Sequence, residues 1–336
     1  MKRIFIILIA LAAFPGIESV VADDIFAANA KLGTGVNLGN ALEAPVEGQW
    51  GVTLKPEYFR LIRDAGFDAV RLPIRWSAHV AEQPPYTIDP KFFERVDWAI
   101  AQAVSNGLNI VINSHHDEAL DKAPAGHLAR LAAIWEQIAS RYQDQPPSVF
   151  FEIYNEPHGN FDAATWNKAL ATILRVIRRT NPTRPIVIGP VEWNNIRALD
   201  KLQLPAADHN IIVTVHYYEP FHFTHQGASW VEGSESWLGR PWDGDENEKQ
   251  AVRESLETAA EWGRRNNRPI YLGEYGAYSK ADDESRVRWT QYVSVEAARL
   301  GFSRAYWEFC SGFGLFDSDK GEWREALKAA ALATPN

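Results

Sequence analysis

Leu108-Asn109-Ile110-Val111-Ile112-Asn113 and Val149-Phe150-Phe151-Glu152-Ile153-Tyr154 are short runs of branched and aromatic residues, and between them Leu128, Leu131, Trp135, Ile138 and Tyr142 recur at helical spacing. A strand, an amphipathic helix and a second strand in that order make a βαβ unit, with the strands parallel and the crossover right-handed. The alternation continues outward in both directions. Upstream, Gly33–Asn37 and Ala69–Ile74 read as strands. Tyr58, Phe59, Leu61, Ile62 and Ala65 form a helical stripe ending at Gly66, and Phe93, Val96, Ile100 and Val104 form another closed by Asn106-Gly107. Downstream, Trp166, Leu170, Ile173, Leu174 and Ile177 mark a helix that stops before Pro182. Ile186–Ile188, Ile211–Val215, Ile270–Leu272 and Ala305–Trp307 complete the strands, with helices centred on Leu256, Val293 and Leu327. Eight such units in 336 residues predict an α/β fold, a single-domain (β/α)8 TIM barrel. An open doubly wound sheet would carry a third glycine after Gly33-Thr34-Gly35, and Val36-Asn37-Leu38 lacks it. The longest irregular stretch is Tyr217–Asp245, and a loop of that length in a compact domain is usually functional.

Composition narrows the partners. The chain carries 34 Lys+Arg against 43 Asp+Glu, a net charge of −9, with no basic block. Nucleic acid needs a counterion-releasing Lys/Arg surface, so it is excluded as a partner. Cys310, the sole cysteine, can form no intrachain disulfide and no cysteine-based metal site, and it reads as a small residue packed behind the last strand. Thirteen tryptophans pose a choice between an aromatic core and rings exposed to stack on a ligand.

At the N-terminus, Lys2-Arg3 precede an apolar run from Ile4 to Phe14, and Val20-Val21-Ala22 offers small residues for cleavage. Residues 1–22 are expected to be a secretory signal peptide, and 23–336 the catalytic domain. The apolar run is shorter than the roughly 20 residues that span a bilayer, so no membrane attachment is expected after cleavage.

In a barrel, the C-terminal ends of the strands form the active site. Those positions here are Asn37 and Asn40, Arg71, Asn113, His115 and His116, Asn155 and Glu156, His216 and Tyr218, Glu274, and Trp307 and Glu308. Two carboxylates, Glu156 and Glu274, thus face one another across a mouth rich in Arg, His, Asn and Tyr. Such a pair suggests glycosidic bond cleavage: one carboxyl protonates the leaving oxygen, and the other, ionised, attacks the anomeric carbon or activates water. Repulsion raises the pKa of one, and Arg71 would hold the other charged. Glu156 follows an amide able to bond a sugar hydroxyl, which suits the acid. Glu274 follows Gly273 and lies near the expected place of Tyr218, which suits the nucleophile.

Seven segments resemble glycoside hydrolase family five: Gly35-Val36-Asn37-Leu38-Gly39-Asn40, Val70-Arg71-Leu72-Pro73, Asn113-Ser114-His115-His116, Tyr154-Asn155-Glu156-Pro157, His216-Tyr217-Tyr218, Gly273-Glu274-Tyr275-Gly276 and Tyr306-Trp307-Glu308-Phe309. They run in order over nearly the whole chain after residue 22. The stretch Tyr218–Trp230 resembles the family's bacterial endo-β-1,4-glucanases, some of which accept mannan. The resemblance implies a retaining double displacement, with Glu156 as acid/base and Glu274 as nucleophile held by Arg71 and Tyr218. His115, Asn155, His216 and Trp307 would line the −1 subsite, and Asn40, His116, His225, Trp230 and Glu308 would make further sugar contacts. No cofactor is implied. The partner would be a β-1,4-linked polysaccharide, and the protein a monomer.

Simpler roles compete at several positions. Glu152 could pair with Arg71 inside the barrel. His115, His116 and His216 could hold a metal, but adjacent strand residues point to opposite faces, so no metal is expected. Among the tryptophans, Trp98, Trp135, Trp166, Trp262, Trp289 and Trp323 fall in expected helices and read as packing residues. Trp307 reads as a subsite floor. Trp50, Trp193, Trp230, Trp237 and Trp242 read as sugar platforms on the catalytic face, and Trp76 fits either group.

Overall fold

The computed structural model describes residues 24–335. The expected signal peptide lies outside the described residues. Eight parallel strands close into a barrel in sequence order: β1 (Thr34–Asn37), β2 (Ala69–Leu72), β3 (Asn109–Asn113), β4 (Val149–Glu152), β5 (Ile186–Ile188), β6 (Ile211–Tyr217), β7 (Ile270–Tyr275) and β8 (Ser303–Tyr306), with β8 pairing back to β1. Among the described residues no helix is long and apolar enough to cross a membrane.

Strands in a closed parallel barrel are covered on both faces, which is why they read as nearly continuous apolar runs. Outside lie helices whose stripes match the spacing in the sequence: α1 (Ile25–Leu32), α2 (Pro56–Asp64), α3 (Pro90–Ser105), α4 (Pro124–Arg141), α5 (Ala163–Arg178), α6 (Glu246–Asn266), α7 (Asp283–Arg299) and α8 (Glu325–Leu332). Pro at the first turn of α2, α3 and α4, and Asp caps on α1, α3, α5, α6 and α7, set where these helices begin.

Three departures from the alternating pattern have physical reasons. First, α1 precedes β1 and presses Ile25, Ala28 and Leu32 against Ala69, Val111, Phe150, Val187, Ile212, Tyr271 and Ala305. It closes the bottom of the barrel, so the interior there is a packed core. Second, the crossover from β5 to β6 carries no long helix, only the short turn Val191–Asn194 and a 3₁₀ turn, Ile196–Lys201. Third, Trp323 lies in a two-residue strand paired with Phe316–Asp317 and stacks on Phe67, so it packs the core from outside any helix.

The inward-facing residues form layers, because side chains on a strand alternate with period two. Ala69, Phe150, Ile212 and Tyr271 belong to the bottom layer. Two residues further along each strand stand Arg71, Glu152, Thr214 and Gly273, so a polar layer lies directly above the apolar one.

Candidate active site

The polar layer is organised around Arg71, whose side chain has no solvent exposure. Its Nε and Nη2 donate to the two oxygens of Glu152 at 2.6 and 2.7 Å. Nη1 reaches Glu274 Oε1 at 2.6 Å and Asn37 Oδ1 at 2.9 Å, and Nη2 reaches Asn155 Oδ1 at 2.6 Å. Both readings of Arg71 therefore hold at once: it pairs with Glu152 and supports Glu274. Being fully buried, it has no surface to offer a sugar, and its expected place among substrate contacts is corrected.

Glu274 reaches the mouth through a break in strand register. Val215 pairs with Leu272, but His216 pairs with Glu274, so Gly273 is an extra residue on β7. Such a bulge re-aims the next side chain and turns Glu274 to the same face as His216. Only glycine fits at 273, because a Cβ there would lie 2.5 Å from Thr214 Oγ1. The second oxygen of Glu274 accepts from Tyr218 Oη at 2.9 Å.

Glu156 is delivered differently. β4 ends at Glu152, so strand alternation does not carry Glu156. Its backbone is left-handed, with φ 51°, an uncommon conformation for a non-glycine residue and one that clusters at functional sites. His216 Nδ1 lies 2.6 Å from Glu156 Oε1 and 3.5 Å from Glu274 Oε2. One oxygen of each carboxylate and a nitrogen of His216 all lie within 4.8 Å of one another. The hydrogen bonds among these groups and the Arg71 cation account for that closeness without an ion. His115 and His116 are not part of the cluster.

Burial pushes the Glu156 carboxyl up to about 7, against the opposing pull of Arg71. Burial also raises Glu274, opposed by His216 and Arg71. Glu274 is the one that touches the cation directly, so it is the better stabilised as a carboxylate. Burial lowers His216 to about 4, leaving a neutral imidazole.

Above this layer a cavity of about 690 Å³ is lined by Asn40, His115, His116, Glu156, Tyr218, His225, Trp230, Glu274 and Trp307, all expected from sequence. His115 stacks on Trp307 with ring centroids 5.7 Å apart, and Trp50 meets His116 edge-on. A wider groove of about 1160 Å³ is lined by Glu156 and His216 together with Trp193 and Trp230. Asn155 lies on a third recess beside His158 and Trp193, its Oδ1 taken by Arg71.

Several expectations need correction. Glu308 is buried, and its oxygens accept from the backbone N–H groups of Cys310, Ser311 and Phe313 at 2.8, 2.8 and 3.1 Å. It ties down the loop after β8 and lines no cavity described above. Trp242 is fully buried beside Tyr292, and Trp237 packs on Phe221 and His222, so neither is a platform in the mouth. Trp76 is a packing residue that donates Nε1–H to Asn113 O. Trp50, Trp193 and Trp230 are exposed at 38%, 55% and 60%. The sequence reading missed Glu43, which lines the cavity of about 690 Å³ and accepts from the N–H groups of Asn40 and Ala41. Burial pushes its carboxyl up to about 8. Its position three residues after Asn40, in the loop beyond β1, was the available signal.

Comparison with known proteins agrees with this geometry. The family model Cellulase (glycosyl hydrolase family 5) matches residues 33–312. Endoglucanase H of Acetivibrio thermocellus is 38% identical over 306 residues, 91% of this chain and 32% of that protein. The chain thus spans about a third of that relative's length. The solved endoglucanase Cel5A of the hyperthermophile Thermotoga maritima has a TM-score of 0.90 at 52% identity, covering 92% of this chain and 99% of that one. Other structures of that enzyme, with a TM-score of 0.90 at 51% identity, hold mannotriose and cellobiose. With the family match running from β1 past the end of β8, the chain belongs to the cellulase family, glycosyl hydrolase family 5.

Proposed function

We propose that this protein is a secreted, monomeric endo-β-1,4-glucanase that retains anomeric configuration, with Glu156 as acid/base and Glu274 as nucleophile. The observation that carries the reading is that one oxygen of each carboxylate lies within 4.8 Å of one on the other. Retaining glycosidases place them about 5–5.5 Å apart, whereas inverting enzymes leave about 6.5–9.5 Å for a water.

Arg71 and Tyr218 each touch one oxygen of Glu274 and keep it ionised and aimed at the anomeric carbon. Glu156, raised to about 7, keeps its proton through mildly acidic pH and delivers it to the departing oxygen. After the first displacement the same residue, now a carboxylate, takes a proton from water. No step requires a cofactor. Because the Asn155 carbonyl is held by Arg71, its NH₂ group is the end left to donate to a sugar hydroxyl. The exposed rings of Trp193 and Trp230 flank the groove and offer stacking faces for a neutral polymer, which suits an acidic chain. Export rests on the N-terminal sequence alone.

A second reading is β-mannanase or dual activity. It is favoured by the mannotriose and cellobiose complexes of the T. maritima relative. Reducing-sugar release from carboxymethylcellulose, mixed-linkage glucan and mannan tests both. Glucan hydrolysis with random internal cuts supports the first reading, and faster mannan hydrolysis supports the second. A catalytically inactive carbohydrate-binding barrel would hydrolyse none of the three.

A further inference from the structure

Between β5 and the 3₁₀ turn, Glu192, Trp193 and Asn194 are all left-handed, with φ 60°, 59° and 55°. Three consecutive non-glycine residues in that region are costly, and such strain persists only where the surroundings enforce it. The turn is held at both ends. Trp193 N–H donates to Pro157 O, just after Glu156, and Asn195 bridges to His216 on β6. Its product is the placement of Asn194. That side chain is fully buried, and its Nδ2 lies 3.2 Å from His216 Nε2. Gly189 makes room for it, since a Cβ at 189 would sit 2.0 Å from Asn194 Oδ1.

We infer that Asn194 is a positioning residue that fixes the tautomer of His216 and thereby leaves the proton of Glu156 free for the substrate. The inference rests on the reading of Glu156 as acid/base. Two hydrogen-bond networks fit the heavy atoms. In one, Asn194 Nδ2–H donates to Nε2, and Nδ1–H donates to Glu156 Oε1, so the carboxyl proton sits on the other oxygen. In the other, the amide is turned over, Nε2–H donates to Asn194 Oδ1, and the proton of Glu156 is spent on Nδ1. The first network leaves the buried Asn194 Oδ1 without a partner. The second would leave the amide N–H groups unpaired. Orphaned buried N–H groups are rarer than under-used carbonyl oxygens, so the first network is preferred. The charged and titratable groups around His216 are Glu156, Glu274, Arg71, Glu152 and His115, and the Tyr218 hydroxyl bonds the same oxygen of Glu274 that His216 faces. Among the described residues, Asn194 is the side chain hydrogen-bonded to Nε2.

The test uses Asn194→Gly, which keeps the left-handed backbone and removes the amide, and Asn194→Asp, which puts only acceptor oxygens against Nε2. The tautomer of His216 is read by ¹⁵N NMR of histidine-labelled protein, with the resonance assigned by its loss in a His216→Gln variant. Rates are read on aryl cellobiosides of graded leaving-group acidity, and melting confirms the fold. We expect Nδ1–H in the unaltered chain and a shift to Nε2–H or imidazolium in Asn194→Asp. We expect Asn194→Gly to lose about tenfold in kcat/KM on poor leaving groups, the size of one buried hydrogen bond, with little loss on the most activated ones. An unchanged tautomer in both variants overturns the inference, as does a loss that is equal across all leaving groups in Asn194→Gly with the tautomer unchanged. A changed tautomer with rates insensitive to the leaving group leaves the tautomer control standing and removes Glu156 as the acid.

Discussion

Arg71→Lys keeps the charge at the centre of the site while removing its geometry. The guanidinium serves five oxygens at 2.6–2.9 Å: two on Glu152 and one each on Glu274, Asn155 and Asn37. A lysine ammonium has three N–H donors on one nitrogen, so at least two of these buried acceptors lose their donor. Hydrogen bonds to charged groups contribute about 1.5–3 kcal/mol each, which sets the loss at ~3–6 kcal/mol. A chain of this length unfolds with an entropy of about 0.7 kcal/mol per kelvin, so Tm is expected to fall by roughly 4–9 °C. Glu274 also loses its fixed partner, and kcat/KM is expected to drop at least about 100-fold. Because the proposed attack by Glu274 would be needed whatever the leaving group, polymer and activated aryl glycosides should lose equally. Differential scanning fluorimetry and aryl cellobioside kinetics measure the two effects. A variant that melts with the unaltered chain and keeps most of its activity would refute the reasoning, because it would mean that the bidentate and bridging contacts of Arg71 contribute nothing.

Glu156→Ala is expected to behave differently, losing most on substrates with poor leaving groups and least on dinitrophenyl glycosides; a flat loss across that series speaks against its role as acid. With the Glu156 carboxyl held at about 7, kcat/KM should fall as pH rises through that value, and a pH–rate profile flat from pH 6 to about pH 8.5 would contradict it. Glu43, Glu156 and Glu308 all have carboxyls raised from the ordinary value of 4.5, to about 8, 7 and 7. Between the ordinary value and those raised values the native chain binds more protons than the unfolded chain, so stability declines as pH rises through that window. Melting is therefore expected to be lower at about pH 8 than at about pH 5, and Glu43→Gln should flatten part of the slope. Finally, Trp242→Ala should destabilise by about 3–5 kcal/mol, as for a fully buried ring. Trp230→Ala should leave melting unchanged while raising KM for the polymer.

What could be read in the sequence follows from how each residue is held. The strands were legible because both of their faces are buried, so apolar runs such as Ile110-Val111-Ile112 leave little room for another assignment. Glu156 and Glu274 stood out because each ends such a run, although the devices that aim them, a left-handed turn and a one-residue bulge, are properties of three-dimensional register. The helix α1 was missed because Ile25–Leu32 adjoins the expected leader, and its purpose is apparent only once the barrel has a floor to cover. Trp242 was misplaced because Tyr217–Asp245 reads as one loop, whereas its last part tucks that ring against Tyr292 on α7. Glu308 looked like a sugar contact because it follows Trp307, but the three N–H groups it accepts come from a turn that no periodicity signals. Asn194 carried no signal at all, since its role depends on a neighbour on another strand.

In the proposed mechanism an oxygen of Glu274 forms the covalent bond of the glycosyl-enzyme intermediate. Incubation with a 2-deoxy-2-fluoro cellobioside bearing an activated leaving group, followed by mass spectrometry of the intact chain and its peptides, tests this directly. One fluorinated cellobiosyl group on the peptide containing Glu274, with activity returning as the adduct turns over, is the predicted result. An adduct on Glu156 or Glu152, or steady hydrolysis of the reagent with inversion and no adduct, would contradict it.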